Sequence, residues 1–393
     1  MDPYRNPFSP GAGSPPPELA GRQPILDRAR LALGRLKNGK SEKSFLLVGL
    51  RGVGKTVLLN EIHKLAEAKG YKSVLIEAHE NKSLAALLLP PLRQILHALD
   101  RMENVSEKVK RSFRVLRSFF NGIKVKIQDI ELSLDVDPET GTADSGDFES
   151  DFPVLLEAIA EAAADRKVAV AIVIDELQYL REREMSALIM AFHKIAQRQL
   201  PLVLVGAGLP QLVALAGRSK SYAERLFDFP PVGPLKGQDA INALQEPVKE
   251  QDVKFTERAL DEIIEKTQGY PYFLQEWGYQ AWNLARTPVI DLDVIQQATI
   301  ESIRRLDESF FRVRFDRLTP REKEYLRALS DLGSGVHRSG DIADKLGVKV
   351  QSVAPIRNNL IKKGMIYSPS HGDTEFTVPL FDEFMKRVMP SMD

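Results

Sequence analysis

The period of apolar positions changes several times along the chain, and each change marks an element. Phe45-Leu46-Leu47-Val48 is a short continuous apolar run of the kind carried by a strand buried on both faces. Leu58, Leu59, Ile62 and Leu65 then fall on one helical face, and Gly70 ends that stretch. A second strand pattern covers Ser73 to Ala78. Residues 79–167 separate it from the next, which is long for a simple crossover. Within that interval Ile123, Val125 and Ile127, then Ile130, Leu132 and Leu134, alternate like a hairpin. A helix pattern at Val154 to Ala164 leads into the buried-strand run Val168 to Ile174, a helix near Met185 to Gln197, and a strand from Leu202 to Val205 ending at Gly206-Ala207-Gly208. Strands alternating with helices predict an α/β core over residues 19–236, a parallel sheet with helices on both faces, carrying an insertion at about 100–150.

The pattern differs outside this core. Residues 1–18 hold Pro3, Pro7, Pro10 and Pro15 to Pro17 and read as an extended Pro-rich arm or a disordered tail. Residues 237–315 are helical apart from a short Pro288 to Ile290 and form a separate small helical domain. Residues 316–393 begin with Thr319-Pro320-x-Glu322, an N-cap signature, and continue with short helices at Ser339 to Leu346 and Gln351 to Lys363. Ile366-Tyr367 and Glu375 to Val378 flank a polar turn. Three short helices and a hairpin describe a winged helix.

Chemistry enters with Gly49-Leu50-Arg51-Gly52-Val53-Gly54-Lys55-Thr56, which stands between the first strand and its helix. A glycine-rich loop in that place wraps backbone N–H groups around a polyphosphate at the positive end of a helix. Lys55 can reach the β and γ phosphates, and the Thr56 hydroxyl can hold Mg²⁺. Gly49, Arg51, Gly52, Val53, Gly54, Lys55, Thr56 and Val57 are therefore the first nucleotide-binding candidates. Asp175 and Glu176 end a strand expected beside this loop. The first carboxylate can hold the magnesium with Thr56, and the second can polarise an attacking water, which makes Glu176 and Lys55 the catalytic candidates.

Composition narrows the partners. Lysine plus arginine equals aspartate plus glutamate, 54 each, so any basic site must be local. The absence of cysteine excludes disulfides, thiolate metal sites and cysteine nucleophiles, and fits a reducing cytoplasm. The six histidines are scattered and suggest no zinc site. No apolar run approaches the roughly 20 residues needed to span a bilayer, and Met1 to Pro17 lacks the apolar core of a signal peptide, so a soluble cytoplasmic protein is expected. Arg101 to Lys126 carries eight basic residues against two acids, and Asp129 to Asp151 carries nine acids and no base. This reads either as a basic helix contacting nucleic acid or a neighbouring subunit, or as two solvated faces that partly neutralise one another.

With these parts placed, the chain resembles the AAA+ ATPases of the clade that holds the origin-recognition and archaeal initiator ATPases and the STAND nucleotide switches. The resemblance rests on Leu19-Ala20-Gly21-Arg22, the phosphate loop, Asp175-Glu176, Gly269-Tyr270-Pro271 and the terminal winged helix. It implies that Ala20, Gly21, Arg22 and Ile25 border the adenine, that Pro271 closes over it from a helical lid, and that ATP or ADP sets the angle between lid and sheet. It also implies a neighbour's arginine completing the site in an ATP-driven homo-oligomer. Arg218 and Arg225 are the candidates, a surface pairing with acids such as Glu224 being the alternative. The chain departs from the family pattern at Gly206-Ala207-Gly208, which offers no polar side chain to sense the γ-phosphate, so turnover is expected to be slow.

Three functions compete. In the first, an ATP-dependent switch sets the winged helix on double-stranded DNA through Gln351, Ser352, Arg357, Asn358, Lys362 and Lys363. The third helix has no acid from Gln351 to Lys363, although the whole segment is nearly balanced, with twelve basic and eleven acidic side chains. In the second, a STAND-like signalling or defence scaffold uses the winged helix for a protein partner or for autoinhibition. A metabolic kinase is the poorer third, because no acceptor-binding constellation is evident.

Overall fold

The computed structural model describes residues 1–11, 13–102, 106–123, 136–370 and 372–390. Five strands, β1 (Ser44–Val48), β2 (Lys72–Glu77), β3 (Val170–Asp175), β4 (Leu202–Gly208) and β5 (Phe227–Asp228), form one parallel sheet in the order β2-β3-β4-β1-β5. β3 and β4 are buried along their whole length, which is why they read as unbroken apolar runs. The order corrects one expectation. The strand ending in Asp175 does not lie beside the phosphate-loop strand, because β4 stands between β3 and β1. An apolar run identifies a buried parallel strand but carries no information about which neighbour it takes.

Among the described residues eight helices belong with the sheet: α1 (Gln23–Lys37), α2 (Lys55–Ala68), α3 (Leu84–Asp100), α4 (Glu107–Ile123), α5 (Phe148–Asp165), α6 (Glu182–Gln197), α7 (Gln211–Ser219) and α8 (Ala223–Leu226), α4 packing on α3 and α5. The helix α3 runs through Pro90 and Pro91, which concealed it in the sequence. Its apolar face, including Leu88, Leu92 and Leu96, is fully buried, so packing overrides the lost backbone bonds. The basic helix α4 is partly neutralised from nearby: Arg111 pairs with Glu139 and Glu161, and Arg114 approaches Glu139. The expected hairpin falls on residues 124–135 after Ile123 and so lies outside the described residues.

The next segment holds α9 (Gln238–Lys249), β6 (Lys254–Phe255), α10 (Glu257–Thr267), α11 (Pro271–Leu284), β7 (Val289–Ile290) and α12 (Leu292–Arg305), with β6 and β7 pairing in parallel. A π-helical turn, Leu306–Phe311, and α13 (Arg312–Phe315) form the connector to the terminal unit. That unit contains α14 (Pro320–Asp331), β8 (His337–Arg338), α15 (Ser339–Lys345), α16 (Val350–Lys362), β9 (Ile366–Tyr367), β10 (Asp373–Phe376) and α17 (Phe381–Val388). Its strands form an antiparallel sheet in the order β8-β10-β9. Thr319 and Glu322 make the reciprocal cap at the start of α14. Phe311 of the connector lies 5.7 Å from Phe381 and 5.2 Å from Phe384, so α17 locks the terminal unit onto the connector.

The Pro-rich arm is packed rather than free. Phe8 is buried against Phe255, with ring centroids 6.3 Å apart, and lies where a side chain at Gly278 would meet its ring at 2.7 Å. The Trp282 indole donates to Asp2 O at 2.8 Å, and Asn6 Nδ2 donates to Tyr279 O at 3.0 Å. The arm is thereby tied to α11.

Candidate functional site

The phosphate loop joins β1 to α2 at the carboxyl edge of the sheet. Gly52 and Gly54 take φ of 80° and 90°, a left-handed conformation that side chains resist, and Gly54 is the N-cap of α2. Gly49 is required for a different reason: a Cβ there would meet Val232 O at 2.1 Å. Lys55 is buried and folds over the loop, its Nζ donating to Gly49 O at 2.9 Å and Leu50 O at 2.8 Å. Burial pulls its pKa down to about 8, although Glu176 and Asp175 favour the charged form.

Thr56 Oγ1 donates to Asp175 Oδ2 at 2.6 Å, so the carboxylate reaches the loop across the top of β4. Burial holds Asp175 above the usual carboxylate range, a tendency the Thr56 bond opposes. Glu176 follows in a left-handed conformation, φ 55°, and accepts a hydrogen bond from Gln178 Nε2. Gln178 Oε1 in turn accepts from the Leu209 N–H at 3.0 Å, and a Cβ on Gly208 would lie 2.9 Å from that oxygen. Gln178, from the turn after β3, thus bridges Glu176 to the end of β4. Sequence reasoning missed it because Gln178 belongs to no motif. Among the described residues no cluster of three or more His, Cys, Asp or Glu could hold a metal.

A cavity of about 520 Å³ opens beside this loop, between the sheet, α11, the connector and the arm. Arg51, Gly52, Val53, Gly54, Lys55, Thr56, Val57 and Glu176 line one side, and Pro271, Tyr272, Gln275, Phe310 and Arg314 line the other. Ala20 and Arg22 border it, but Gly21 and Ile25 do not. Gly21, at φ 67°, bends the chain against Asp239, and half-buried Ile25 packs into the core, where Leu235 and Ala243 take the expected apolar contact with the cavity. Arg22 serves the backbone: it donates to Val53 O at 3.0 Å and Gly233 O at 2.6 Å. The arm contributes Ser9, Pro10, Gly11, Gly13, Ser14 and Pro16.

The loop is also held from two directions. The Tyr272 N–H donates to Gly52 O at 3.2 Å, and the Arg51 N–H donates to Thr377 O, from the terminal unit, at 3.1 Å. Arg314 was not singled out from the sequence, yet it is half-buried at the cavity wall, and burial together with Arg51 pulls its pKa down to about 10.

The remaining candidates lie away from the cavity. Arg218 and Arg225 are exposed. Arg225 borders a second cavity of about 280 Å³ with Ser44 and Leu202, at the sheet edge opposite the phosphate loop. In the terminal unit Gln351, Ser352, Asn358 and Lys362 are exposed on α16. Two proposed DNA contacts are engaged internally instead. Arg357 donates to Thr374 Oγ1 at 2.8 Å, Ser368 Oγ at 2.6 Å and Asp373 O, and Lys363 pairs with Glu322 at 2.7 Å.

Residues 18–205 match the AAA ATPase domain family, and the sheet, loop and carboxylate pair described above have the fold of a P-loop AAA+ α/β core. Residues 308–385 match a domain of unknown function, DUF8462. Among solved structures, a Walker-type ATPase of Pyrococcus abyssi is 16% identical, covers 94% of this chain and 96% of its own, and shares the fold with a TM-score of 0.54. The Aeropyrum pernix Orc1 protein in complex with DNA is 15% identical, with coverage of 95% and 94% and a TM-score of 0.46. The Thermotoga maritima RuvB Holliday junction branch migration motor is 14% identical, with coverage of 93% and 95% and a TM-score of 0.44. No curated protein matches the chain. No helix among the described residues is long and apolar enough to cross a membrane.

Proposed function

We propose that this protein is an ATP-dependent switch in which the nucleotide bound between the core (19–236) and the helical lid (237–315) sets the placement of the terminal unit (316–393). The observation that carries the reading is the hydrogen bond from the Arg51 N–H to Thr377 O, because the loop that would surround the phosphates is bonded directly to the terminal unit. The donor set suits the nucleotide and its magnesium: a buried ammonium and loop amides for phosphate, and a hydroxyl and a carboxylate as hard oxygen ligands. Magnesium held through Thr56 and Asp175 would neutralise charge on the phosphates. Lys55 must leave the carbonyls of Gly49 and Leu50 to meet a phosphate. Glu176 is the residue to orient water for hydrolysis, and the Gln178 bond keeps its carboxylate occupied, which fits slow turnover. Exposed Arg218 and Arg225 remain the candidates for completing a neighbour's site in an ATP-driven homo-oligomer.

Two outputs follow from this switch. The terminal unit has the helix and strand order of a winged helix, and exposed Gln351, Ser352, Asn358 and Lys362 can meet double-stranded DNA. With Arg357 and Lys363 engaged internally, Lys362 is the cation α16 offers without an ion pair among the described residues, and the salt slope falls from about −2.7 for three phosphate contacts to about −0.9. The STAND-like reading, with the terminal unit holding the site closed until a protein partner arrives, is favoured by the same Arg51–Thr377 bond. The test is a gel shift on random-sequence duplex with ATP, with ADP and without nucleotide, alongside Lys55→Ala. Nucleotide-dependent binding lost in Lys55→Ala supports DNA as the output. No shift in any state, with ADP retained through purification, supports the scaffold; neither a shift nor any nucleotide binding refutes the switch.

A further inference from the structure

The edge of the sheet opposite the phosphate loop gathers cations that are scattered along the sequence. The parallel strands all start at that edge, and their entry loops bring lysines to it: Lys37, Lys40 and Lys43 before β1, Lys69 and Lys72 around the entry to β2, and Lys167 before β3. Strand pairing sets these loops side by side. The Lys72 N–H donates to Ala169 O at 2.9 Å, the Val170 N–H to Pro201 O at 2.8 Å, and the Leu204 N–H to Ser44 Oγ at 3.0 Å. Leu33, Leu36, Ala66, Tyr71 and Ala169 pack as one cluster beneath them, and Lys37 Nζ donates to Lys69 O at 2.6 Å. Lys40, Lys43 and Lys167 are exposed, and none of the six lysines forms an ion pair among the described residues. The depression of about 280 Å³ in this edge is lined by Arg35, Lys43 and Arg225, and by Glu42, whose carboxylate Arg35 takes at 2.6 Å.

Cations at the carboxyl ends of helices answer the helix dipole, which accounts for Lys37 and Lys69. It does not account for Lys40, Lys43 and Lys72, which stand beyond the last turns of α1 and α2. Nor does it explain Lys167, held at φ 53° in the left-handed conformation that Gly39 and Gly70 supply after α1 and α2. The chain keeps a lysine there against the conformational preference. From β2 through β3 and β4 to β1 is three strand spacings, about 14 Å, a length over which duplex DNA carries about eight phosphate charges. Residues 37–43, 69–72 and 166–167 include no exposed large apolar side chain, so the face suits a polyanion better than a membrane or a hydrophobic partner. The acid-rich stretch of a second copy is a poor complement, because Glu139 takes Arg111, Asp147 caps α5 and Asp151 accepts from Ser145 and the Gly146 N–H. We propose that the amino edge of the sheet is a docking face for the phosphate backbone of duplex DNA, with Lys40, Lys43, Lys69, Lys72 and Lys167 as its contacts. Such contacts position the duplex and read no sequence. The face stands apart from the nucleotide site and from α16, so it does not rest on the nucleotide-switch reading.

The experiment is fluorescence anisotropy of a labelled random-sequence duplex with the nucleotide-free, full-length protein over a salt series. The proteins are wild type, the triple variant Lys40→Gln/Lys43→Gln/Lys167→Gln, and Lys362→Ala. Five phosphate contacts predict a log-log salt slope of about −4.5, and removing three brings it to about −1.8, with binding weakened about tenfold or more. Lys362→Ala is expected to keep the slope within about one unit of wild type. An unchanged urea midpoint is the check that the triple variant is folded. Equal slopes for wild type and the triple variant, or no duplex binding by wild type, overturn the proposal. Loss of binding in Lys362→Ala alone also overturns it and assigns the duplex to α16. Polyglutamate competing as well as DNA at equal charge overturns the choice of nucleic acid in favour of an acidic protein. Fluorescent-ADP titration of the same proteins reads the switch separately: DNA binding without ADP binding refutes the switch and leaves this face standing.

Discussion

Nucleotide affinity is expected to fall as pH rises from 7.5 to 9, because the free protein holds Lys55 near its titration point. Burial brings its pKa to about 8, and a bound polyphosphate restores a strong preference for the ammonium. The charged fraction of the free state is about three quarters at pH 7.5 and about one tenth at pH 9, so an obligatory proton raises Kd about eightfold across the interval. The window is selective: Asp175 is a carboxylate shifted upward from an acidic value, Tyr272 is raised by burial, and Arg314 sits at about 10. The same shift has a stability consequence of definite sign. The unfolded lysine binds its proton up to about 10.5, the folded one only to about 8, so the unfolded state holds more protons between these values and stability rises with pH there. The assay is fluorescent-ADP titration in Mg²⁺ at half-unit pH steps, with urea melts of the nucleotide-free protein. A Kd that stays flat from pH 7.5 to 9 would refute a depressed Lys55 that must recharge to bind.

Glu176→Gln should abolish ATP turnover in a phosphate-release assay while leaving ADP affinity within about twofold, and Gln178→Ala should raise turnover by freeing the carboxylate it now holds. Slower turnover in Gln178→Ala would instead make Gln178 a participant in hydrolysis. Phe8→Ala removes a buried ring whose loss typically costs about 3–5 kcal/mol in a core, more than the arm's few hydrogen bonds can offset. The arm should detach from the cavity, seen as new proteolytic cleavage before residue 18 and severalfold faster nucleotide release in stopped flow; an unchanged release rate argues against an arm that covers the site. In the terminal unit, Arg357→Ala should lower the urea midpoint by an amount corresponding to about 1–3 kcal/mol, and Lys362→Ala should not, because only the first strips hydrogen bonds from β10 and the turn before it.

What was legible in the sequence was local. The phosphate loop, its strand and its helix are contiguous, and Asp175-Glu176 ends a run of seven apolar residues, so spacing and pattern sufficed to place them. The reciprocal cap at Thr319 and Glu322 was legible for the same reason. What required the fold was set by residues far apart. The sheet order puts β4 between the two halves of the site, yet Thr56 still bonds Asp175, because both strands end at the same edge. Proline content made residues 1–18 read as free, but Phe8 finds a seat because Gly278, 270 positions later, leaves room for its ring.

Arg314 is the sharpest case. The segment from Arg304 to Arg317 holds five arginines, and nothing in their spacing separates them. Arg304 lies one turn from both Glu301 and Glu308, and Arg312 one turn from Asp316, so ordinary helical neighbours neutralise them. Arg314 meets Phe310 within its own segment, and across the cavity it meets Arg51. Among the described residues Arg314 is therefore held by Phe310 and not by a carboxylate. A linear pattern can show that acids are near an arginine in sequence, but whether one reaches it depends on which way the helix turns that side chain. Here the connector places Arg314 in the wall of the cavity that the phosphate loop also lines, where Arg51 shares its sign.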